Sequence, residues 1–362
     1  MSEFTLPFLG PDVEQGKLLA WQVGVGDMVR RGQVVCVVDT AKAAVDVESW
    51  QDGVVQQLLV EPGEPVRVGQ PLLEFAGAGA PPPARRRISP AARKLAQAHG
   101  IDPVQIQGSG PEGTVALEDV QAALAKRDPA QGQVVTADMR QVIAAAMARS
   151  KREIPHYYLC EDIPLRTAQQ WLAELNAHRA LDDRVLLAAL LLKAVALAVA
   201  AVPALNGCYT DGAFRASQAV NLGVAIALRG GGLVAPALQD AAAQPLERLM
   251  RNLGDLVRRA RAGTLRSSEL SGGTITVTNL GEQGCDGVFG VIYPPQVALV
   301  GFGRVQERPW VLDGKLVSMP VVTASLAADH RVTDGHDGAR FLTRLNALLQ
   351  TPAQLALPGG TV

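Results

Sequence analysis

Near the end of the chain, the stretch DHRVTDG places His330 four residues before Asp334. An apolar run precedes the stretch and a glycine ends it, so the imidazole lies where a strand gives way to a turn. A histidine in such a place can remove a proton from a nucleophile, and a nearby carboxylate can orient the ring. Many structural histidines share this spacing, so the pair predicts general-base chemistry without naming a substrate.

One lysine, Lys42, lies between two copies of an internal repeat. The shared residues are offset by 37 positions: Gly16, Gly26, Val29, Gly32 and Gln33 recur as Gly53, Gly63, Val66, Gly69 and Gln70. Short alternating strands with turn glycines, repeated in this way, predict two similar sheets packed face to face. Lys42 then lies on a tight hairpin where the halves join, and its amine is open to a modifying enzyme.

The length and composition of the chain limit its class. A chain of 362 residues is long enough for two or three domains. Two segments poor in large apolar residues predict linkers, AGAGAPPPA from Ala76 to Ala84 and KRDPAQGQ from Lys126 to Gln133. A net charge of −1 argues against nucleic acid or a charged membrane surface as a partner.

The sequence favours a cytoplasmic protein with reduced thiols. No basic and apolar leader opens the chain, which predicts that it carries no signal peptide. The apolar stretch from Val185 to Leu205 is long enough to cross a bilayer, but Lys193 near its centre predicts a buried helix of a soluble core instead. The cysteines are far apart and lack zinc-site spacing. They are Cys36, Cys160, Cys208 and Cys285.

From Arg140 onward, helical and strand patterns are mixed without strict alternation, which favours a mixed sheet over a doubly wound one. The predicted helices cover 141–151, 168–178 and 185–202, and the predicted strands cover 220–227, 274–278, 297–302 and 321–326.

The first two pieces of the chain resemble known modules. VGDMVRRGQVV, DTAKAAVDVES and DGVVQQLLVEPGEPVRVGQPL resemble a lipoyl domain over its full length, which implies that Lys42 carries covalent lipoate. Biotin carriers usually have methionine on both sides of their lysine, so Ala41 and Ala43 argue against biotin. The second piece begins with Ser89-Pro90, a helix-start signal, and resembles a peripheral-subunit-binding domain through GIDPVQIQGSGPEGTVALEDVQAALA.

The third piece resembles the catalytic domain of the dihydrolipoamide acyltransferases, which shares the chloramphenicol acetyltransferase fold. IPH ending at His156, GGLVAP, TITVTNLG and YPPQVA occur in the order of that family's motifs, before DHRVTDG. Ala327 and Ala328 stand where the family usually has a serine and an aromatic residue.

The resemblance implies a multidomain protein with three different folds. It comprises an all-β lipoyl sandwich at 1–76, a linker at 77–86, a small α peripheral-subunit-binding domain at 87–125, a linker at 126–138 and an α/β acyltransferase domain with a mixed sheet at 139–362.

The resemblance also implies the roles of three side chains. His330 is expected to remove the thiol proton of coenzyme A, because a thiol with a pKa of about 8.5 needs a base at neutral pH. Thr278 is expected to donate its hydroxyl to the developing oxyanion. Asp334 is expected to hold the loop and the imidazole tautomer. No metal is expected, and the other histidines, His156 among them, are expected to be structural.

Substrate and partners follow from the same resemblance. The acyl group is expected to be acetyl, supplied from pyruvate or acetoin, with branched-chain acyl as the alternative. Residues 87–125 are expected to bind the thiamine-diphosphate-dependent decarboxylase subunit and dihydrolipoamide dehydrogenase. Trimers are expected to build a core of twenty-four or sixty subunits. A lipoyl-bearing scaffold without catalytic activity is the alternative from another class.

Overall fold

The computed structural model describes residues 2–9, 15–40, 44–76, 135–228, 232–281 and 284–357, with side chains of the first helix from Ile143 onward. The predicted binding domain at 87–125, the linker at 77–86 and most of the linker at 126–138 lie outside the described residues. The chain divides into two compact units near residues 139 and 140.

The N-terminal unit is built from antiparallel strands. They are β1 (Ser2–Thr5), β2 (Gln15–Trp21), β3 (Met28–Val29), β4 (Val34–Asp39), β5 (Ala44–Glu48), β6 (Gly53–Leu58), β7 (Pro65–Arg67) and β8 (Pro71–Phe75). One sheet has the order β1-β8-β6-β3, and β5, β4, β2 and β7 pair in that order in another. Buried side chains of both sheets, including Phe4, Leu18, Val38 and Phe75, form the core. The prediction of an all-β sandwich is confirmed.

The internal repeat appears as a set of exchanged hydrogen bonds between the two halves. Gly26 N donates to Val55 O at 2.8 Å, and Gly63 N donates to Leu18 O at 2.7 Å. Each donor and each acceptor has its counterpart 37 residues along the chain. Gly26 and Gly63 have φ of 93° and 100°, a backbone region that favours glycine. The repeat therefore encodes two halves that are joined by equivalent hydrogen bonds.

The C-terminal unit contains both helices and strands. The helices are α1 (Val135–Glu153), α2 (Arg166–Asn176), α3 (Leu187–Ala200), α4 (Leu246–Ala262), α5 (Ser267–Ser271), α6 (Gly335–Gln350) and α7 (Ala353–Ala356), with 3₁₀ turns at Leu181–Asp183 and Pro203–Leu205. The strands are β9 (His156–Pro164), β10 (Gly207–Thr210), β11 (Ala213–Ala216), β12 (Leu222–Val224), β13 (Ile226–Ala227), β14 (Leu233–Val234), β15 (Ala237–Leu238), β16 (Leu265–Arg266), β17 (Ile275–Asn279), β18 (Ala298–Phe302), β19 (Gln306–Leu312) and β20 (Lys315–Asp329).

A seven-stranded sheet organises this unit. Its order is β15-β12-β17-β18-β20-β19, with β9 pairing with β20 off this path. The neighbours β12, β17 and β18 run parallel, whereas β18, β19 and β9 each run antiparallel to β20. The prediction of a mixed sheet is confirmed. The long strand β20 ends at Asp329, so the sheet delivers His330 to its edge.

Helix α3 forms the centre of the core beside this sheet. Every residue from Ala189 to Val199 is buried. Lys193 is fully buried among them, and its ammonium donates to Ala242 O and Gln244 O at 2.6 Å each. The prediction of a buried helix across this apolar stretch is confirmed. Within the part of the chain that the structure describes, no helix has the length and apolar character to cross a membrane.

Several element bounds differ from the predicted ones. The strand predicted over 220–227 is two short strands, β12 and β13, interrupted at Ala225. Strand β20 begins six residues before the predicted 321–326, because pairing with β19 extends it through Pro320. Proline and polar residues weaken a strand pattern in sequence, and the partner strand compensates.

Candidate active site

His330 lies directly after β20, with its side chain exposed. Its backbone N–H donates to Pro155 O at 2.9 Å, which ties the residue to the start of β9. The imidazole packs edge-to-face against the ring of Tyr157, with centroids 5.1 Å apart. Among the described residues, none makes a hydrogen bond to either ring nitrogen. The ring is therefore free to exchange a proton with a bound molecule.

An ion pair fixes the backbone on both sides of His330. Asp329 is fully buried, and its carboxylate accepts from Arg331 Nε at 3.0 Å and Nη2 at 2.7 Å. It also accepts from the backbone N–H of Arg331 at 3.0 Å. The guanidinium lies 4.0 Å from the ring centroid of Tyr209. A bidentate pair buried at one end defines one turn geometry, and hence the place at which the side chain of His330 leaves the backbone.

Asp334 is the N-cap of α6. Its carboxylate accepts from the backbone N–H groups of His336 at 2.8 Å and Asp337 at 3.2 Å. These two hydrogen bonds, first that of Asp337, hold the pKa of Asp334 below its usual range. In the described part of the chain, no hydrogen bond joins this carboxylate to His330. The geometry therefore places Asp334 where it holds the loop, and its predicted action on the imidazole tautomer stays a prediction.

Thr278 lies in β17, half-buried, away from His330 of the same chain. Thr278 pairs with Gly301 of β18, and Gly301 pairs with Ser325 of β20. His330 is five residues further along the chain than Ser325, which corresponds to about 16 Å along the sheet. One chain therefore brings Asp334 close to His330 and leaves Thr278 at the other end of the sheet.

The residues on both sides of Lys42 belong to two antiparallel strands that pair with each other, β4 and β5. Asp39 at the end of β4 pairs with Ala44 at the start of β5, and Asp39 is exposed. Lys42 itself lies outside the described residues. An amide-linked lipoyl group needs a primary amine near an accessible position, and a lysine two residues before Ala44 supplies one. The residues present fit lipoate.

His156 connects three parts of the unit through hydrogen bonds. Its Nδ1 lies 2.8 Å from Ile154 O, and its Nε2 accepts from the backbone N–H of Ile292 at 3.1 Å. The buried hydroxyl of Ser150 donates to Ile292 O at 2.6 Å. Burial lowers the pKa of His156, which favours the neutral ring that this pattern requires. Both ring nitrogens are engaged, which agrees with the structural role expected of His156.

Two residues beside His330 were not singled out in the sequence. Tyr157 directly follows the IPH motif that ends at His156, and Arg331 lies within DHRVTDG. The signal for Tyr157 is its place in a strand of alternating exposure, which turns it to the same face as Leu159. For Arg331 the signal is an acid two residues away at the end of a buried strand.

Family models match the chain in three consecutive parts. A model described as biotin-requiring enzyme matches residues 2–75, an e3 binding domain matches 80–121, and the 2-oxoacid dehydrogenases acyltransferase catalytic domain matches 129–357. This order defines a lipoyl-bearing acyltransferase with a subunit-binding domain. The last match covers well over half of the residues, and the chain belongs to the 2-oxoacid dehydrogenase acyltransferase family.

Characterised relatives are similar over nearly the whole chain. The acetyltransferase component of the pyruvate dehydrogenase complex of Zymomonas mobilis is 28% identical, over 97% of this chain and 98% of the relative. The lipoamide acyltransferase component of the branched-chain alpha-keto acid dehydrogenase complex of Pseudomonas aeruginosa is 32% identical, with the same coverage. The acetyltransferase component of the acetoin cleaving system of Bacillus subtilis is 29% identical, again with that coverage.

Solved structures resemble the C-terminal unit. Dihydrolipoamide acetyltransferase of Azotobacter vinelandii is 27% identical with a TM-score of 0.57, and the match covers 60% of this chain and 91% of that one. That structure was determined to investigate a serine, a histidine and an asparagine in the catalytic mechanism. The cubic core of a pyruvate dehydrogenase multienzyme complex is 26% identical with a TM-score of 0.57, and the match covers 60% of this chain and 91% of that one.

Proposed function

We propose that this acyltransferase moves an acyl group from dihydrolipoamide on its own lipoyl arm to coenzyme A, with His330 as the general base. The observation that carries the proposal is the exposed imidazole of His330. Its backbone is fixed by Pro155 and by the Asp329–Arg331 pair, while both ring nitrogens are left for substrate. This arrangement suits a base that must take up and return a proton.

The chain's own residues account for the steps of the reaction. Lipoate carried on Lys42 supplies the thioester from which the acyl group is transferred. His330 removes the thiol proton of coenzyme A, so that the thiolate can form a bond to the acyl carbon. Thr278 donates its hydroxyl hydrogen to the acyl oxygen as negative charge develops there. His330 then returns the proton to the sulfur that leaves.

We further propose that His330 and Thr278 act together across two copies of the chain. The separation of about 16 Å along the sheet is too long for both to touch one thioester in a single chain. A trimer that places the Thr278 end of one sheet beside the His330 end of the next would complete the site. We propose that such trimers build a core of twenty-four or sixty subunits, and the cubic core of the similar pyruvate dehydrogenase structure supports a closed assembly.

The proposal is tested by measuring acetyl transfer from acetyl-dihydrolipoamide to coenzyme A in the wild type and in His330→Ala. Loss of a positioned general base should lower kcat by roughly 10²- to 10⁴-fold. Gel filtration controls for an intact oligomer. A wild type that is inactive with every acyl donor would favour the scaffold alternative, and an active His330→Ala variant would refute the assigned base.

We propose acetyl as the acyl group. The segment TVTNLGEQG resembles the acetyl-type members, and the relatives from Zymomonas mobilis and Bacillus subtilis are acetyltransferase components. The branched-chain relative from Pseudomonas aeruginosa keeps a second candidate open. Rates with acetyl-, isobutyryl- and succinyl-dihydrolipoamide decide between them, and a preference for either of the latter two would contradict the proposal.

The remaining parts serve assembly and delivery. We propose domains at 1–76, 87–125 and 139–362, joined by linkers at 77–86 and 126–138, with lipoate on Lys42. The match to an e3 binding domain supports binding of the E3 subunit by this part of the chain. We propose dihydrolipoamide dehydrogenase and the thiamine-diphosphate-dependent decarboxylase subunit as the partners of 87–125. We place the protein in the cytoplasm, because a dithiol arm and a thiol substrate need a compartment that keeps thiols reduced.

A further inference from the structure

Tyr157 contacts the candidate base and the loop that follows it. Its ring lies edge-to-face against the imidazole of His330 at an interplanar angle of 65°. Its hydroxyl donates to Thr333 Oγ1 at 3.0 Å, and Thr333 is buried. The tyrosine thus connects β9 to the turn between β20 and α6 at two points, one of which is the imidazole itself.

The packing around the ring of Tyr157 leaves it little freedom. Gly338, in the first turn of α6, also lies against this ring. A Cβ at that position would stand 3.2 Å from Tyr157 Cε2 and 2.7 Å from a methyl of Leu159. The absence of a side chain at Gly338 makes room for the aromatic ring. The ring therefore packs against Gly338, and its hydroxyl is hydrogen-bonded to Thr333.

The ring of Tyr157 is a described contact that bears on the orientation of the His330 imidazole. The ion pair of Asp329 and Arg331 fixes the backbone, and it leaves the side-chain torsions of His330 free. The carboxylate of Asp334 is engaged at the start of α6. Among the described residues, the ring of Tyr157 is the aromatic group that packs against the imidazole. Burial raises the pKa of Tyr157, so its hydroxyl stays protonated and remains a donor at neutral pH.

We propose that Tyr157 is a positioning residue for His330, with its ring setting the imidazole orientation and its bond to Thr333 holding the ring in place. This inference rests on the proposed function of His330 as the base. An edge-to-face contact restricts rotation, and proton transfer falls steeply when the base is misaligned. Because Tyr157 acts through the imidazole in this proposal, the effect of its loss should fall on kcat and not on the KM values.

Variants separate the ring from the hydroxyl. Tyr157→Leu removes the ring, Tyr157→Phe removes the hydroxyl alone, and Thr333→Val removes the hydroxyl's partner. We expect Tyr157→Leu to lower kcat by about 10-fold with KM values within about 2-fold of the wild type. Tyr157→Phe and Thr333→Val should each lower kcat by about 2- to 3-fold. The double variant should lower kcat no further than either single variant, because both substitutions remove the same hydrogen bond.

A second readout does not depend on acyl transfer. Diethyl pyrocarbonate modifies accessible imidazoles, and mass spectrometry of the His330 peptide gives the rate for this residue in the full-length oligomer. An imidazole freed from the ring should react at least about 3-fold faster in Tyr157→Leu and at nearly the wild-type rate in Tyr157→Phe. Tyr158→Leu, on the opposite face of β9, is the matched control and should leave the rate unchanged.

The outcomes are distinct. A wild-type kcat and a wild-type modification rate in Tyr157→Leu would overturn the positioning role. Additive losses in Tyr157→Phe and Thr333→Val would overturn the assigned bond. If the wild type transfers no acyl group, the proposed function fails, and the modification rate still decides whether Tyr157 orients His330. If Tyr157→Leu misfolds, the kcat values of Tyr157→Phe and Thr333→Val decide whether the tyrosine acts on His330.

Discussion

At the scale of single residues, His330 combines a rigid backbone with a free side chain. Its N–H is bound by Pro155 and its neighbours are tied by the Asp329–Arg331 pair, yet neither ring nitrogen has a partner among the described residues. The same chain contains a contrasting histidine. His156 has both nitrogens engaged, and burial lowers its pKa. The two rings show how the surroundings separate a candidate base from a structural hydrogen-bond bridge.

Asp334 yields a prediction about stability and pH. Asp334→Ala should lower the Tm by roughly 2–4 °C at pH 7, because α6 loses its cap, whereas Asp334→Asn should keep it. The folded pKa of Asp334 is lowered, so its stabilisation is present above about pH 4 and is lost as the pH falls through that folded pKa. Thermal melts at several pH values test this. Equal Tm values for wild type and Asp334→Ala at pH 7 would contradict the capping role.

The sequence predicted the residue types at the candidate site better than their geometry. His330 and Asp334 are neighbours along the chain, so their proximity follows from four residues of spacing. The distance of Thr278 from His330 depends on which strands pair and in what register, and no local pattern carries that information. Tyr157 was missed for the same reason, because its contact with His330 crosses from β9 to the end of β20.

At the scale of elements, patterns with strong local signals were predicted most accurately. The glycine repeat predicted the two sheets of the N-terminal unit, and the apolar run predicted α3. Strand β20 was predicted over only part of its length, because half of it is stabilised by β19 and not by its own composition. Local propensity determines where a strand is favoured, whereas its partners determine how far it extends.

Lys193 carries a prediction about α3 and the turn that it contacts. Lys193→Met should destabilise the unit by about 2–5 kcal/mol, because the half-buried carbonyls of Ala242 and Gln244 lose their buried donor. The amine satisfies these groups although burial lowers its pKa to about 8. Urea denaturation provides the measurement, and Lys315→Met, at an exposed lysine, is the control. A loss no greater than that of the control would show that the turn does not need the ammonium.

At the scale of the whole molecule, the account separates delivery of the acyl group from its transfer. Lys42→Arg should carry no lipoate by mass spectrometry and should abolish turnover of the reconstituted complex. The same variant should transfer acetyl from free acetyl-dihydrolipoamide at nearly the wild-type rate, because the catalytic unit is intact. Turnover of the complex by Lys42→Arg would show that another residue carries the acyl group.

The central claim is that His330 of one copy works with Thr278 of another. The most direct test co-expresses His330→Ala and Thr278→Ala chains with different tags and assays mixed oligomers purified through both tags. Each variant alone should be nearly inactive, with losses of roughly 10²-fold or more. Random mixing at equal ratio should restore about a quarter of the wild-type activity, because one interface in about four then has both intact residues. Mixed oligomers that stay inactive would contradict a site shared between copies.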